Sequence, residues 1–205
     1  MALHLICGIV PRSLRFVAAG ALFLGLAGCV TADKPTLSAD ARQSLRLIAV
    51  SVDFAPDATI YISPVENEVH ARGVYDPRQV AEAGKAQIRK VLPEEFTAIV
   101  GARLAGARPV AARITVTNFN VPNPLIAVVG PASYGISGGV DLVDVKSGET
   151  LVSIPPGKIG NGVYRPGGII GLAVQAAEAN DPSDKKTREL SRNFSAEYAN
   201  WVVAN

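Results

Sequence analysis

The sequence predicts an α/β fold of the α+β kind. The expected form is a two-layer sandwich, with a mostly antiparallel or mixed sheet carrying its helices on one face. Three observations lead there. Stretches that alternate apolar and polar residues, such as RITVTNFNV, are interleaved with stretches of three- and four-residue period. Asp-Pro pairs at 76–77 and 181–182 mark helix starts, with Asp as N-cap and Pro at the first helical position. The chain has 205 residues, 48% hydrophobic and 19% charged, which suits one domain with its own core. It shows no internal repeat.

Residues 1–28 have the parts of an export signal. Arg12 and Arg15 form a basic patch, and FVAAGALFLGLAG follows without a charge. A membrane-spanning helix needs about 20 apolar residues, so this run is short for one. It closes on Leu26-Ala27-Gly28-Cys29, which resembles the lipobox of bacterial lipoproteins: an aliphatic residue, two small ones, and the thiol. The resemblance implies cleavage before Cys29 by a lipoprotein signal peptidase that recognises Leu26, Ala27 and Gly28. It also implies a diacylglyceryl group on the Cys29 sulfur. Small residues suit a tight protease subsite, and the thiol is the nucleophile of the segment. Val30 rather than Asp follows the cysteine, which by the same resemblance favours the outer membrane of a Gram-negative bacterium, with the domain in the periplasm. The apolar MALHLICGIV ahead of the arginines is unusual for a signal and fits a translation start near Val10. A core helix, or a plain signal peptide with an incidental cysteine, is the competing reading.

Cleavage has consequences for charge and redox chemistry. Residues 1–29 hold two of the 20 basic residues and no acid, so 18 remain against 18 Asp and Glu. A neutral domain lacks the electrostatic footprint of a nucleic-acid binder, and nucleic acid is excluded as a partner. The other cysteine, Cys7, lies in the removed segment. The mature domain then has neither a free thiol nor a disulfide.

Cys29 and the polar residues up to 43 read as a lipidated tether, and residues 44–205 as a single globular domain. LRLIAVSVDF opens it as a half-buried strand with Ile48, Val50, Val52 and Phe54 on one face. ATIYI reads as a short second strand ended by Pro64. From Pro77 to Leu92, Val80, Gly84, Ile88, Val91 and Leu92 give an amphipathic helix. Pro93 is expected to break or kink it, and the period resumes through Phe96, Ile99, Val100 and Leu104 up to Gly106. RITVTNFNV is a strand with Ile114 and Val116 inward. ASYGISGGVDLVDV places Tyr134, Ile136, Val140 and Leu142 on one face, Lys146 to Glu149 make a tight turn, and TLVSI returns. PPGKIGNGVYRPGG reads as a long loop and IIGLAVQAAEA as a short helix. Leu190, Phe194, Tyr198, Trp201 and Val202 define a closing amphipathic helix.

Catalytic signatures are sparse. His70, the one histidine beyond the signal, reads as a surface loop residue near Glu66 and Glu68. A lone His without Cys cannot assemble an ordinary zinc site, so no metal and no cofactor is implied. Ser183-Asp184-Lys185-Lys186 fits S-x-x-K and Lys146-Ser147-Gly148 resembles K-T-G, but their order is reversed relative to penicillin-binding enzymes. Gly157-Lys158 lacks the earlier glycine and the Ser/Thr of a phosphate loop, and Gly160-Asn161-Gly162 lacks a third glycine. Asp141 and Asp144 read as hairpin surface charges. The low-charge, glycine-rich LIAVVGPASYGISGG and RPGGIIGLAVQAA fit either core or an interface.

From about residue 45 to 203 the order of elements resembles a group of small proteobacterial outer-membrane lipoproteins with an α/β domain of unknown function. The matching positions are Ile48 and Val50, Gly106, Thr117 to Phe119, Gly138 to Asp144, Ser147 to Glu149, Gly167-Gly168, and Phe194 to Trp201. The resemblance implies a fold and no catalytic residue. The expected function is a non-enzymatic binding or assembly module of the cell envelope, held to the membrane by its lipid. Its partner would be an envelope protein or a second copy of the chain. The alternatives are a periplasmic hydrolase of cell-wall or lipid substrates using Ser183 or His70, and a subunit of an oligomeric secretion complex.

Overall fold

A computed structural model describes residues 37–123, 132–165 and 182–202. The motifs expected at 1–36, 124–131 and 166–181, including Leu26 to Cys29, LIAVVG and IIGLAVQAAEA, lie outside the described residues. The elements run α1 (Ala39–Ser44), β1 (Leu45–Ile62), α2 (Ser63–Ala71), α3 (Pro77–Val100), a 3-10 turn (Gly101–Arg103), β2 (Arg108–Val121), β3 (Ala132–Asp144), β4 (Thr150–Arg165) and α4 (Lys185–Val202). The strands form one sheet in the order β1-β2-β3-β4. β1 and β2 are parallel, as a crossover through α2 and α3 allows, and the other two pairings are antiparallel. The expected α/β class with a mixed sheet is what forms.

Helices α3 and α4 pack on each other, α3 also against β1 and α4 against β3 and β4. Their apolar stripes meet the sheet's inner face. Ile88, Leu92, Phe96 and Val100 of α3 are buried with Leu190, Phe194, Tyr198 and Val202 of α4. Under them lie Val110, Ala112, Ile114 and Val116 of β2 and Tyr134, Ile136, Val140 and Leu142 of β3. These are the inward sets that alternation predicts.

The differences from expectation have local causes. Asp76 does cap α3, its carboxylate accepting the Arg78 N–H at 2.9 Å, but Pro93 does not end the helix. The missing proline N–H costs roughly 3 kcal/mol in a helix interior, less than several fully buried side chains return. α3 stops at Val100, so Gly106 is no cap and lies in the turn toward β2. β1 is one strand, not two, because an irregularity between Phe54 and Thr59 carries it past the polar residues that suggested a break. A second bulge, between Leu47 and Ala49, flips the face: Leu45 and Leu47 are buried, whereas Ile48 is 51% exposed. His70 is helical rather than in a loop, since Pro64 starts α2 and Val65 and Val69, four apart, bury its inner side. PPGKIGNGVYR is strand, not loop. Ile154 pairs with Val140 and Ile159 with Gly138, so residues 155–158 bulge out, and Ile159 returns to the core. Prolines are tolerated there because β4 is an edge strand of the sheet.

Regular structure begins before residue 44, the expected start of the domain. Ser38 caps α1 through its hydroxyl, which accepts the Ala41 N–H at 3.2 Å, and the Leu37 N–H donates to the Val202 carbonyl at 2.8 Å. The domain thus begins near Leu37, with that point pinned to the C-terminus of α4.

Candidate functional site

The β3–β4 turn is organised around a buried carboxylate. Gly148 takes φ 74° at its tip, as expected for a tight turn. Asp144 is not a surface charge. It is 3% exposed, and one carboxylate oxygen accepts the N–H groups of Lys146 and Ser147, both at 2.8 Å. Its other oxygen pairs with Arg108 on β2. The Ser147 N–H first, and the Arg108 side chain second, hold the Asp144 carboxyl down to about 2. Lys146-Ser147-Gly148 is therefore a turn organised around a carboxylate. Asp141 is likewise engaged, accepting the Ser153 hydroxyl at 2.6 Å across the hairpin.

Ser183 stands in the turn before α4, exposed, and its carbonyl accepts the Gln87 side-chain amide of α3. His70 stacks on Tyr75 with ring centroids 4.9 Å apart, and its Nε2 lies 4.0 Å from the Glu66 carboxylate. Glu66 also touches the Tyr61 phenol, which burial and that negative charge push above its ordinary range. Each candidate hydrolase residue thus sits in separate local contacts, Ser183 with α3 and His70 with Tyr75 and Glu66. Among the described residues no group of three His, Cys, Asp or Glu could hold a metal ion. None of the described helices is long and apolar enough to cross a membrane.

Two open depressions flank β4. One, of about 300 Å³, lies on the sheet's outer face among Asn118, Asn120, Ser133, Ser137 and the backbone of Gly160 and Gly162. Asn120 donates to the Ser133 carbonyl at 2.8 Å and Thr117 to the Ser137 carbonyl at 3.1 Å, so this face is polar and internally bonded. The other, of about 380 Å³, lies between Asn161 and the outer side of α4, at Asn193, Glu197, Asn200 and Trp201. In the sequence the only signal of Asn118 and Asn120 is their alternation in TNFN, and Asn193 and Asn200 carry none.

The α3–α4 seam was also missed. Glu95, 7% exposed, takes Arg192 Nε at 3.0 Å and Arg188 Nη1 at 3.1 Å, while Arg188 also reaches Glu94 and Asp184. These carboxylates push the Arg188 guanidinium further up. Gln87 meets Thr187, and Arg103 of the 3-10 turn meets Asn200, so the two helices run parallel, bonded from Gln87 onward.

No protein-family model and no curated protein matches the chain. Solved structures similar to it include a protein described as a lipoprotein from Caulobacter crescentus CB15, at 16% identity and TM-score 0.34, covering 56% of this chain and 82% of that one. Another is the PelC dodecamer from Paraburkholderia phytofirmans, at 11% identity and TM-score 0.31, covering 78% and 90%. A third is lipoprotein GNA1162 from Neisseria meningitidis, at 18% identity and TM-score 0.26, covering 66% and 96%. Likeness at this level assigns no activity.

Proposed function

We propose that this chain is a lipoprotein anchored through Cys29 in the outer membrane of a Gram-negative bacterium. Its α/β domain faces the periplasm as a non-enzymatic binding or assembly module of the envelope. The observation that carries the reading is Leu26-Ala27-Gly28-Cys29 closing an uncharged run that begins after Arg12 and Arg15. A diacylglyceryl group on the sulfur, with a fatty acyl chain such as palmitate on the freed amino group, gives two anchoring signals. One acyl chain alone holds a protein only marginally, whereas two or more retain it. The domain's polar groups fit the binding role: Asp144, Glu95 and the outer-face Thr and Asn residues are spent on internal bonds that fix shape.

The test is Cys29→Ala, expressed in a Gram-negative host. The wild type fractionates with membranes and carries the acyl mass, and the variant moves to the soluble periplasmic fraction without it. Unchanged fractionation of the variant would overturn the anchor. Crosslinked pull-down from native membranes then tests the module, with capture of an envelope protein or a second copy expected.

A further inference from the structure

We infer that one end of the domain is a membrane-contacting face, which meets the anionic phospholipid headgroups of the leaflet carrying the Cys29 lipid. The inference rests on the lipoprotein reading and adds to it an orientation and a contact surface. Its first ground is covalent reach. Leu37 is eight residues beyond Cys29, so the backbone between them extends at most about 29 Å. Leu37 is itself fixed to the end of α4 by its bond to Val202.

The topology gathers several termini at that same end. β1 and β2 both start there, since Leu45 pairs with Arg108. The β3–β4 turn joins them, with the Val145 N–H donating to the Pro109 carbonyl at 3.2 Å. The C-terminal ends of α3 and α4 meet there through Arg103 and Asn200. The chain that leads back to Cys29 therefore leaves the domain from this end, and not from the Asp76–Arg78 end of α3.

The second ground is what this end exposes. Among the described residues three large apolar side chains are exposed, Ile48, Tyr75 and Val145, and two of them are here. Ile48 stands on the β1 bulge beside Arg46, and Val145 precedes Lys146. Arg46, Arg103 and Lys146 are exposed as well. Aliphatic side chains among arginines and lysines are the chemistry of an interfacial contact: the stems enter the headgroup region and the charges meet phosphates. Each basic residue near an anionic surface adds a modest attraction, which matters once a lipid has already confined the domain. The domain's overall neutrality does not oppose this, because headgroups a Debye length of about 10 Å away sense only the nearest charges.

Trp201, the one tryptophan of the chain, lies in the last turn of α4 and reports on this end. The acylated full-length protein is reconstituted into phosphatidylcholine vesicles, with and without phosphatidylglycerol, carrying headgroup spin labels that quench tryptophan. Strong quenching of Trp201 is expected, greater with phosphatidylglycerol. The double variant Arg46→Glu/Arg103→Glu should lose about half of that quenching or more while still sedimenting with the vesicles. Arg78→Glu, at the far end of α3, should change nothing, and circular dichroism checks that each variant is folded. Vesicle-bound wild type with unquenched Trp201 would overturn the contact and leave the anchor standing. A protein lacking the acyl mass would overturn both.

Discussion

At the scale of single residues, Asp144 shows how much one carboxylate fixes. It satisfies two N–H groups of the turn and neutralises Arg108 of the neighbouring strand, so it ties three consecutive elements together. Its folded acidity, about 2 against an ordinary 3.8, gives the sign of a pH dependence. A depressed carboxyl contributes stability that is complete above its ordinary value and disappears as pH falls toward the folded one. Asp144→Asn should lower the melting temperature by several degrees at pH 7, and the gap to wild type should narrow steadily between pH 4 and pH 2. Thermal unfolding followed by circular dichroism reads both quantities, and equal melting temperatures at pH 7 would remove Asp144 from this role. The sequence showed the turn but not the anchor. A turn carboxylate beside a lysine looks solvated, and nothing local says that Arg108, thirty-six positions away, comes back to meet it.

At the scale of elements, the sheet shows what periodicity can and cannot convey. The inward sets of β2 and β3 follow from alternation, as do the stripes of α3 and α4, because each repeats a single period against one packed layer. The misread stretches are those where an irregularity changes the phase. Ile48 lost its place in the core to one extra residue, and the loop reading of 155–158 hid the return of Ile159. A bulge has no period, so only the partner strand reveals it. For 155–158 the partner is β3 at Gly138 and Gly139, and Gly138 also pairs with Val116, where β2 has an irregularity of its own before Asn118. A Cβ on Gly138 would stand 2.5 Å from the Thr115 carbonyl oxygen, and one on Gly139 would stand 2.7 Å from the Ile154 carbonyl oxygen. Backbone cannot yield as a side-chain tip does. Gly138→Ala is therefore expected to cost about 1–3 kcal/mol in urea unfolding. A cost within about 0.3 kcal/mol would mean that β2 and β3 approach less closely than described.

At the scale of the molecule, residues 30–205 hold 18 basic and 18 acidic side chains, and their placement in the fold is what composition leaves open. Composition offers no electrostatic footprint for nucleic acid and does not show which charges meet in space: Arg46 comes beside Ala105, two residues past Arg103, only when β1 enters the sheet next to the chain leaving α3. The proposed anchor was legible in four consecutive residues, Leu26 to Cys29. The proposed orientation depends on the fold. If the short tether and the basic face both hold the domain against the leaflet, they should be separable. Inserting a Gly/Ser segment of about 20 residues between Asp33 and Lys34 lowers the effective concentration of the domain at the surface by roughly sixfold, from the −3/2 power of chain length. On neutral phosphatidylcholine vesicles, where confinement is the main cause of contact, quenching of Trp201 should then fall toward background. On vesicles rich in phosphatidylglycerol it should fall much less, since the arginines restore the contact electrostatically, and added salt should remove that difference. Equal loss on both lipids would mean that the tether alone sets the position and the basic residues do nothing there. No loss on either would mean that the face binds so tightly that eight residues of tether are irrelevant.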